Sequence, residues 1–402
     1  MIQMIRFEMK KYVFRKHNIY ILLLFTIIFC FANFFGERQC FEEKHEIHSY
    51  YNIIGDTFTD KTKKTLEEEQ SLIESKIYRK DDNGNLIPNQ EEIRKKGKYS
   101  VTQMGDLGLI SRALGCIEVV EKRNRNMAII MDNSNSYQSG LLSMAYTAEK
   151  NNMLIDRLRL QAFSSNMYFG WPICILLVII FSASFCTERE KNILGVLSIT
   201  KRGEWSLYIS KLITGIIVTI IVNLYFLTVF LLNQKVLIGL SISDLNQPLF
   251  LVNGYEMSAS GDTLLTLLLT QGLLVIILSL VVTFAVMVLS KCIRKNVYVM
   301  ISTLILFFVG TGVDIINLGI YKNDYIQNTE NWYLVSVTTF HKLLEYVKLL
   351  NPFSVINVQY YLEQPRYLSL GSLQYPLYYS PIVIMIVVIG VSSIYLLQNK
   401  KG

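Results

Sequence analysis

Apolar positions along this chain gather into long unbroken runs separated by short basic stretches. A helix needs about 20 apolar residues to cross hydrocarbon with every backbone group satisfied internally. Six runs approach or exceed that length: Asn18 to Phe35, Met167 to Cys186, Leu212 to Leu232, Thr263 to Ser290, Val297 to Ile316 and Leu377 to Leu397. The first is short and the fourth is long enough to tilt or project past the bilayer. The pattern predicts an all-α membrane protein with six transmembrane helices and both termini on one side.

The polar block between the first two runs, residues 36–166, carries apolar residues at three- and four-residue spacing, which marks helices rather than strands. Leu66, Ile73 and Ile77 would share one face of a helix from about Asp60 to Lys80. Asp81-Asp82-Asn83-Gly84-Asn85 has the composition of a turn. Leu107, Ile110, Leu114, Ile117 and Val120 mark a second helix from about Thr102 to Met131, and a third begins near Gln138. A helical bundle standing on extensions of the first two spans is expected. The chain then divides into an amphipathic helix with the first span (1–35), a helical domain (36–166) and a five-span domain (167–402).

Charge orients this arrangement. Only 18% of residues are charged, against about 25% in soluble domains, which excludes an ordinary soluble enzyme. Segments 1–17, 187–211, 291–296 and 398–402 hold fifteen lysines and arginines in 53 residues, whereas 233–262 and 317–376 hold five in 90. Basic flanks stay cytoplasmic, so both termini are expected there and block 36–166 outside, in the cell membrane. The formal charge of +7 then finds its counterpart in the anionic lipid of the bilayer, not in nucleic acid. The first run exceeds a signal-peptide core and lacks an Ala-x-Ala site, so it is expected to remain as a span. Ile2, Ile5, Met9 and Val13 share a helical face, so residues 1–16 read either as a helix lying in the interface or as a polybasic flank that sets topology.

Motifs for chemistry are sparse. Placing Gly84 at the sixth position of a calcium loop puts Arg79 and Gln90 where carboxylates are required. His45 and His48 with Glu42 could hold a metal, but their spacing is not that of the two-His zinc helix. Cys40 and Cys116 are the one pair outside the spans on the expected outer side, and a disulfide between them is open. Gly97-Lys98-Tyr99 is the nearest approach to a phosphate loop and lacks its hydroxyl and earlier glycine, so no ATP-binding motif is present and no enzyme activity is expected of this chain. Asp314 is the formal charge within a span, near its outer end, open to a capping or a transport role. Asn33, Asn223, Gln271, Thr283 and Ser302 would line a pathway or hold helices together.

The stretch between the second and third runs, CTEREKNILGVLSITKRGEWSLYISK from Cys186 to Lys211, alternates charges, continues as a short amphipathic run broken by Gly195, and turns at Thr200-Lys201-Arg202-Gly203. Such a piece would lie on the inner face and offer charge and an apolar ridge to a soluble partner. It resembles the coupling segment of ABC transporter permeases of the type-2 exporter class. Glu188, Glu190, Gly195, Leu197, Thr200, Lys201, Gly203 and Lys211 match that arrangement, and Arg189 lies in the same stretch, which the resemblance implies to be ATPase-coupling; Glu204 stands where an Arg commonly follows the Gly. Leu349-Leu350-Asn351-Pro352-Phe353 is similar to the outer helices such permeases place before the last span. The resemblance implies a permease subunit of an ATP-driven exporter for a hydrophobic or amphipathic peptide, lipid or drug. It implies an ABC ATP-binding subunit and a second permease subunit, identical or different, as partners, with no cofactor in this chain and ATP used by the partner. The alternative expectation is a membrane sensor or immunity protein that binds a peptide through its outer domain without transport.

Overall fold

The computed structural model describes residues 2–12, 15–54, 60–80, 86–133, 160–161, 163–164, 167, 170–190, 203–252, 255, 258–259, 261–326, 347, 350–356, 358, 362, 367–370, 373–376 and 379–398. The third helix expected near Gln138, residues 191–202 and the turn at 81–85 lie outside them. Helices dominate: α1 (Ile2–Tyr12), α2 (Lys16–Ile54), α3 (Asp60–Ile77), α4 (Gln90–Ile93), α5 (Gln103–Asn133), α6 (Gly170–Phe181), α7 (Cys186–Glu190), α8 (Gly203–Ile238), α9 (Leu264–Cys292), α10 (Asn296–Ile326) and α11 (Tyr379–Leu397). Two short antiparallel hairpins interrupt the helical pattern, β1 (Tyr78–Lys80) with β2 (Leu86–Pro88) and β3 (Tyr367–Leu370) with β4 (Leu373–Pro376).

Six helices are long and apolar enough to cross a membrane, in the places the sequence runs occupy. They fit a multi-pass membrane protein. α6 and α9 are enclosed, whereas α2, α10 and α11 are peripheral. The peripheral helices turn Leu24, Ile28, Ile305, Val309, Ile386 and Val391 outward, as lipid-facing surfaces do. Lipid is as apolar as leucine, so association within the bundle rests on close packing and on polar contacts between helices, each worth about 0.6 kcal/mol. Thr219 and Thr283 join α8 to α9 at 2.9 Å. Asn223 donates to the Thr219 carbonyl at 2.8 Å and accepts from Ser279 at 3.4 Å.

α9 also receives the segment before the last span. Its Gln271 side chain donates to the Ile356 carbonyl at 2.8 Å and accepts from the Val358 N–H at 3.1 Å, closing the short 3₁₀ turn Pro352–Ile356. Asn351 donates to the Gly310 carbonyl at 2.8 Å, and the Phe353 ring lies so close over Gly310 that a Cβ there would overlap it. Asn223, Gln271 and Thr283 thus hold helices together. Ser302 is half-buried on α10.

The polar block contributes a small helical unit. Leu66 on α3 and Leu109, Ile110 and Ala113 on α5 form its core, with Ile73, Tyr99 and Leu114 packed against them. The expected helix to Lys80 ends at Ile77, and the chain continues as β1, paired antiparallel with β2 (Tyr78 opposite Pro88, Lys80 opposite Leu86). Gly97-Lys98-Tyr99 belongs to a loop in which three successive N–H groups are occupied: Asp106 accepts from the backbone of Lys98, from Tyr99 at 3.0 Å and from Ser100 at 2.6 Å. That concavity holds the chain's own carboxylate. Farther along α5, the buried Arg123 donates to the Ser258 carbonyl at 3.1 Å and stacks over Phe250 at 4.6 Å, which ties this unit to the connection between α8 and α9.

Candidate functional site

The starts of α1, α2, α8 and α10 and the ends of α7, α9 and α11 meet at one end of the bundle, which carries the basic segments of the sequence. Their meeting point is Lys211, two turns inside α8 and 0% exposed. Sequence reasoning placed it at the mouth of the third span. The helix instead begins at Gly203 and carries Lys211 into the protein.

A break in the second span prepares the site. α6 stops at Phe181, residues 182–185 form a turn, and α7 resumes at Cys186. Ser290 of α9 accepts from the N–H of Phe185 at 2.9 Å and of Cys186 at 3.3 Å, satisfying the start of α7. The interruption leaves the Ser184 carbonyl available, and the Lys211 ammonium donates to it at 2.6 Å. One turn on, the Glu188 carboxylate accepts from Lys211 at 2.8 Å.

The N-terminal helix supplies the rest. Glu8 and Tyr12 are one turn apart on α1 and both buried; Glu8 accepts from Lys211 at 3.2 Å, and the Tyr12 hydroxyl lies 3.3 Å from the same nitrogen. Lys11 pairs with Glu188 and approaches Glu8 at 3.9 Å. Two ammonium groups and two carboxylates therefore balance in a low-dielectric setting, where an isolated charge is costly. Burial pushes the Tyr12 phenol well above its ordinary value, and the Glu8 and Glu188 charges push the same way, so it stays neutral. The Lys211 ammonium also sits over the Phe185 ring at 5.0 Å.

Basic side chains next to this quartet cap the neighbouring helix ends, where backbone carbonyls carry negative partial charge. Arg189 donates to the carbonyls of Lys291 and Ile293, the latter at 3.3 Å, at the end of α9. Lys291 in turn donates to the carbonyls of Tyr395, Leu396 and Gln398 at 3.1, 3.0 and 2.9 Å at the end of α11, and lies 4.8 Å from the Tyr208 ring centre. α7, which leads into segment 191–202, is thereby bound to α1, α8 and α9, and through Lys291 to α11.

Of the residues singled out from sequence, the structure brings together Glu188, Arg189 and Lys211. Glu188 and Lys211 face each other and α1, so their charges are spent inside the protein rather than presented at its surface. Glu190 closes α7 and Gly203 opens α8. Gly195, Leu197, Thr200 and Lys201 lie outside the described residues. The side chains of Glu42, His45, His48, Cys40, Cys116 and Asp314 also fall outside the description, although helical backbone is described at each; among the described residues no group of three His, Cys, Asp or Glu could hold a metal.

Sequence reasoning missed Glu8 and Tyr12. It read the N-terminal helix by its apolar face of Ile2, Ile5, Met9 and Val13, and that face says nothing of Glu8, which is 1% exposed. A signal existed: Glu8 is the lone acid in the first 36 residues, and Lys211 is the lone charge between Trp205 and Leu232. Two solitary opposite charges on apolar helices are a pair worth testing. Comparison with protein-family models, with curated proteins and with solved structures yields no match.

Proposed function

We propose that this chain is a membrane-spanning permease subunit that moves a hydrophobic or amphipathic molecule, driven by a separate ATP-hydrolysing subunit that engages residues 187–211 from the cytoplasm. The observation that carries this reading is the buried quartet of Glu8, Lys11, Glu188 and Lys211. It fastens the first residues of the 187–211 segment and its return into α8 to one another and to α1. A push on residues 191–202 would therefore move α1, α7 and α8 as one body, with Arg189 and Lys291 passing it to α9 and α11. That is the rigid-element linkage a nucleotide-driven switch requires. In this reading Glu188, Arg189 and Lys211 position the segment, and contact with the ATPase falls to residues between Glu190 and Gly203.

The orientation follows the same logic: basic ends and both termini cytoplasmic, the α3–α5 unit outside, in the cell membrane. A second permease subunit would complete the pathway.

The test is purification of the chain from its native membrane with any nucleotide-binding subunit encoded beside it. Co-purification should survive in the parent and fall at least tenfold in Glu190→Lys with Lys201→Glu. A cysteine placed at Lys201 should react with an impermeant thiol reagent only from the cytoplasmic side. Labelling from outside alone would overturn the reading. The rival reading, a peptide sensor without transport, predicts that no ATPase co-purifies and that deleting 60–133 abolishes the response.

A further inference from the structure

Away from the charged quartet, at the opposite end of the bundle, a group of buried carboxamides has no explained role. α2 and α8 run side by side in the same direction: Thr26 Oγ1 lies 3.1 Å from the Tyr225 hydroxyl, and the Phe29 and Phe226 rings meet edge to face at 5.8 Å. One further helical turn on each brings Asn33 level with Phe230, and the next brings in Gln234. Phe163 packs on Phe230 at 5.5 Å between ring centres, which brings Phe163 to the same level, with Gln161 two residues before it.

Asn33 is 4% exposed and Gln234 0%. Asn33 Nδ2, Gln161 Oε1, Asn233 Nδ2 and both Gln234 amide atoms are buried with no hydrogen-bond partner among the described residues. Gln271 and Asn223, by contrast, are met on both their donor and acceptor sides, while Asn296 Oδ1 and Gln103 Oε1 are further single unpaired amide atoms on α10 and α5. Unpaired amides are costly in an apolar interior, and Asn33, Gln161, Asn233 and Gln234 each fall within about one helical turn, along their own segments, of Phe29, Phe163 or Phe230.

We propose that these residues form a recognition site for a neutral secondary amide flanked by apolar groups. Gln234 presents one donor and one acceptor, the complement of the C=O and N–H of a peptide unit. Asn33 and Asn233 add donors and Gln161 an acceptor. Phe29, Phe163 and Phe230 supply apolar walls. The four amide residues themselves carry no formal charge to balance an ionised ligand, so the chemistry selects an uncharged one. Gln234 is fully enclosed, so the ligand enters when α2 and α8 part. Two sources carry this chemistry, a hydrophobic peptide and an amide-linked lipid. The inference stands apart from the permease reading, because binding requires no ATPase; should both hold, it names the substrate class.

The test uses the full chain in nanodiscs and two probes, tritiated acetyl-Leu-Phe-Leu-amide and a short-chain ceramide. Saturable binding of either probe that is weakened at least tenfold in Gln234→Leu and in Asn33→Leu supports the site, and whichever probe displaces the other identifies the source. The same peptide methylated at its amide nitrogens should bind the parent chain at least tenfold more weakly, a readout that needs no variant to fold. Absence of saturable binding of both probes overturns the proposal. So does binding that neither substitution nor N-methylation changes.

Discussion

Lys211 donates to Glu8 across 203 residues of sequence at 3.2 Å, with both side chains withdrawn from solvent. The contact fastens the N-terminal helix to the bundle. Removing one member of a buried ion pair leaves the other charge uncompensated, at about 3–5 kcal/mol. Lys211→Met should therefore lower the melting temperature of the detergent-solubilised chain more than any surface lysine change does. Glu8→Leu in the same chain should recover part of the loss, because Lys11 and Glu188 remain as a balanced pair, giving a coupling of about 1–3 kcal/mol in the double-mutant cycle. Strict additivity would show that the two side chains do not share an environment.

Tyr12 gives the site a pH signature. Its folded pKa is raised above the unfolded value of about 10 by burial first and by Glu8 and Glu188 next. A raised value means that the folded chain holds the phenolic proton more tightly than the unfolded one. The associated stability is fully present below about pH 10 and is lost as pH climbs through the folded value. Tyr12→Phe has no such proton. Melting temperatures taken from pH 8 to 11.5 should therefore show the parent falling relative to Tyr12→Phe above about pH 10, with a constant difference below it. Parallel curves across the whole range would mean that Tyr12 is open to water.

The spans were legible because lipid permits no other solution: a backbone without water must close its own hydrogen bonds, and an unbroken apolar run announces that. The α3 and α5 faces were legible too, since Leu66, Ile77 and Ile110 fall at helical spacing and are buried. The hairpin at 78–88 was half visible. Asp81 to Asn85 has turn chemistry, but three-residue strands containing Arg79 and Lys80 offer no alternation to read. The quartet was hidden for a different reason. Glu8, Glu188 and Lys211 reside on three helices, and local patterning reports which residues are polar, not which polar residues find each other. Lys211 looked like a surface flank because its charge was taken as the edge of the apolar run, although Trp205, Leu207, Tyr208 and Ile209 carry that run two turns further back, which makes a flanking lysine a buried one.

Asp106 organises the loop before α5 by accepting from three successive backbone N–H groups. A carboxamide keeps the shape but offers a single acceptor oxygen and turns an NH2 toward donors. Asp106→Asn should cost the α3–α5 unit about 1–3 kcal/mol, the range for stranding buried donors. Limited proteolysis should then cut within 97–102 at least several-fold faster than in the parent. Gly97→Ala should act in the same direction, since an added Cβ would collide with the Asp106 carboxylate. An unchanged cleavage rate in both variants would place the order of this loop elsewhere.

Lys291 closes the end of the last span, and its effect should be local. α11 is peripheral, its final turn is held by Leu396 on one side while Ile394 is exposed on the other, and three carbonyls at its end, those of Tyr395, Leu396 and Gln398, are met by one ammonium. Charge-assisted bonds of this kind contribute about 1.5–3 kcal/mol, and the Tyr208 ring beneath the same group adds to its retention. Lys291→Met keeps the aliphatic stem and removes the donors. Amide exchange at the end of α11 should accelerate by about tenfold or more, while exchange in the enclosed middle of α9 stays as in the parent, because the lost bonds lie outside its backbone ladder. Lys291→Arg should restore part of the protection, since its fork can reach two of the three carbonyls. Equal acceleration throughout α9 and α11 would show instead that Lys291 holds the whole bundle together, and the capping argument would fail.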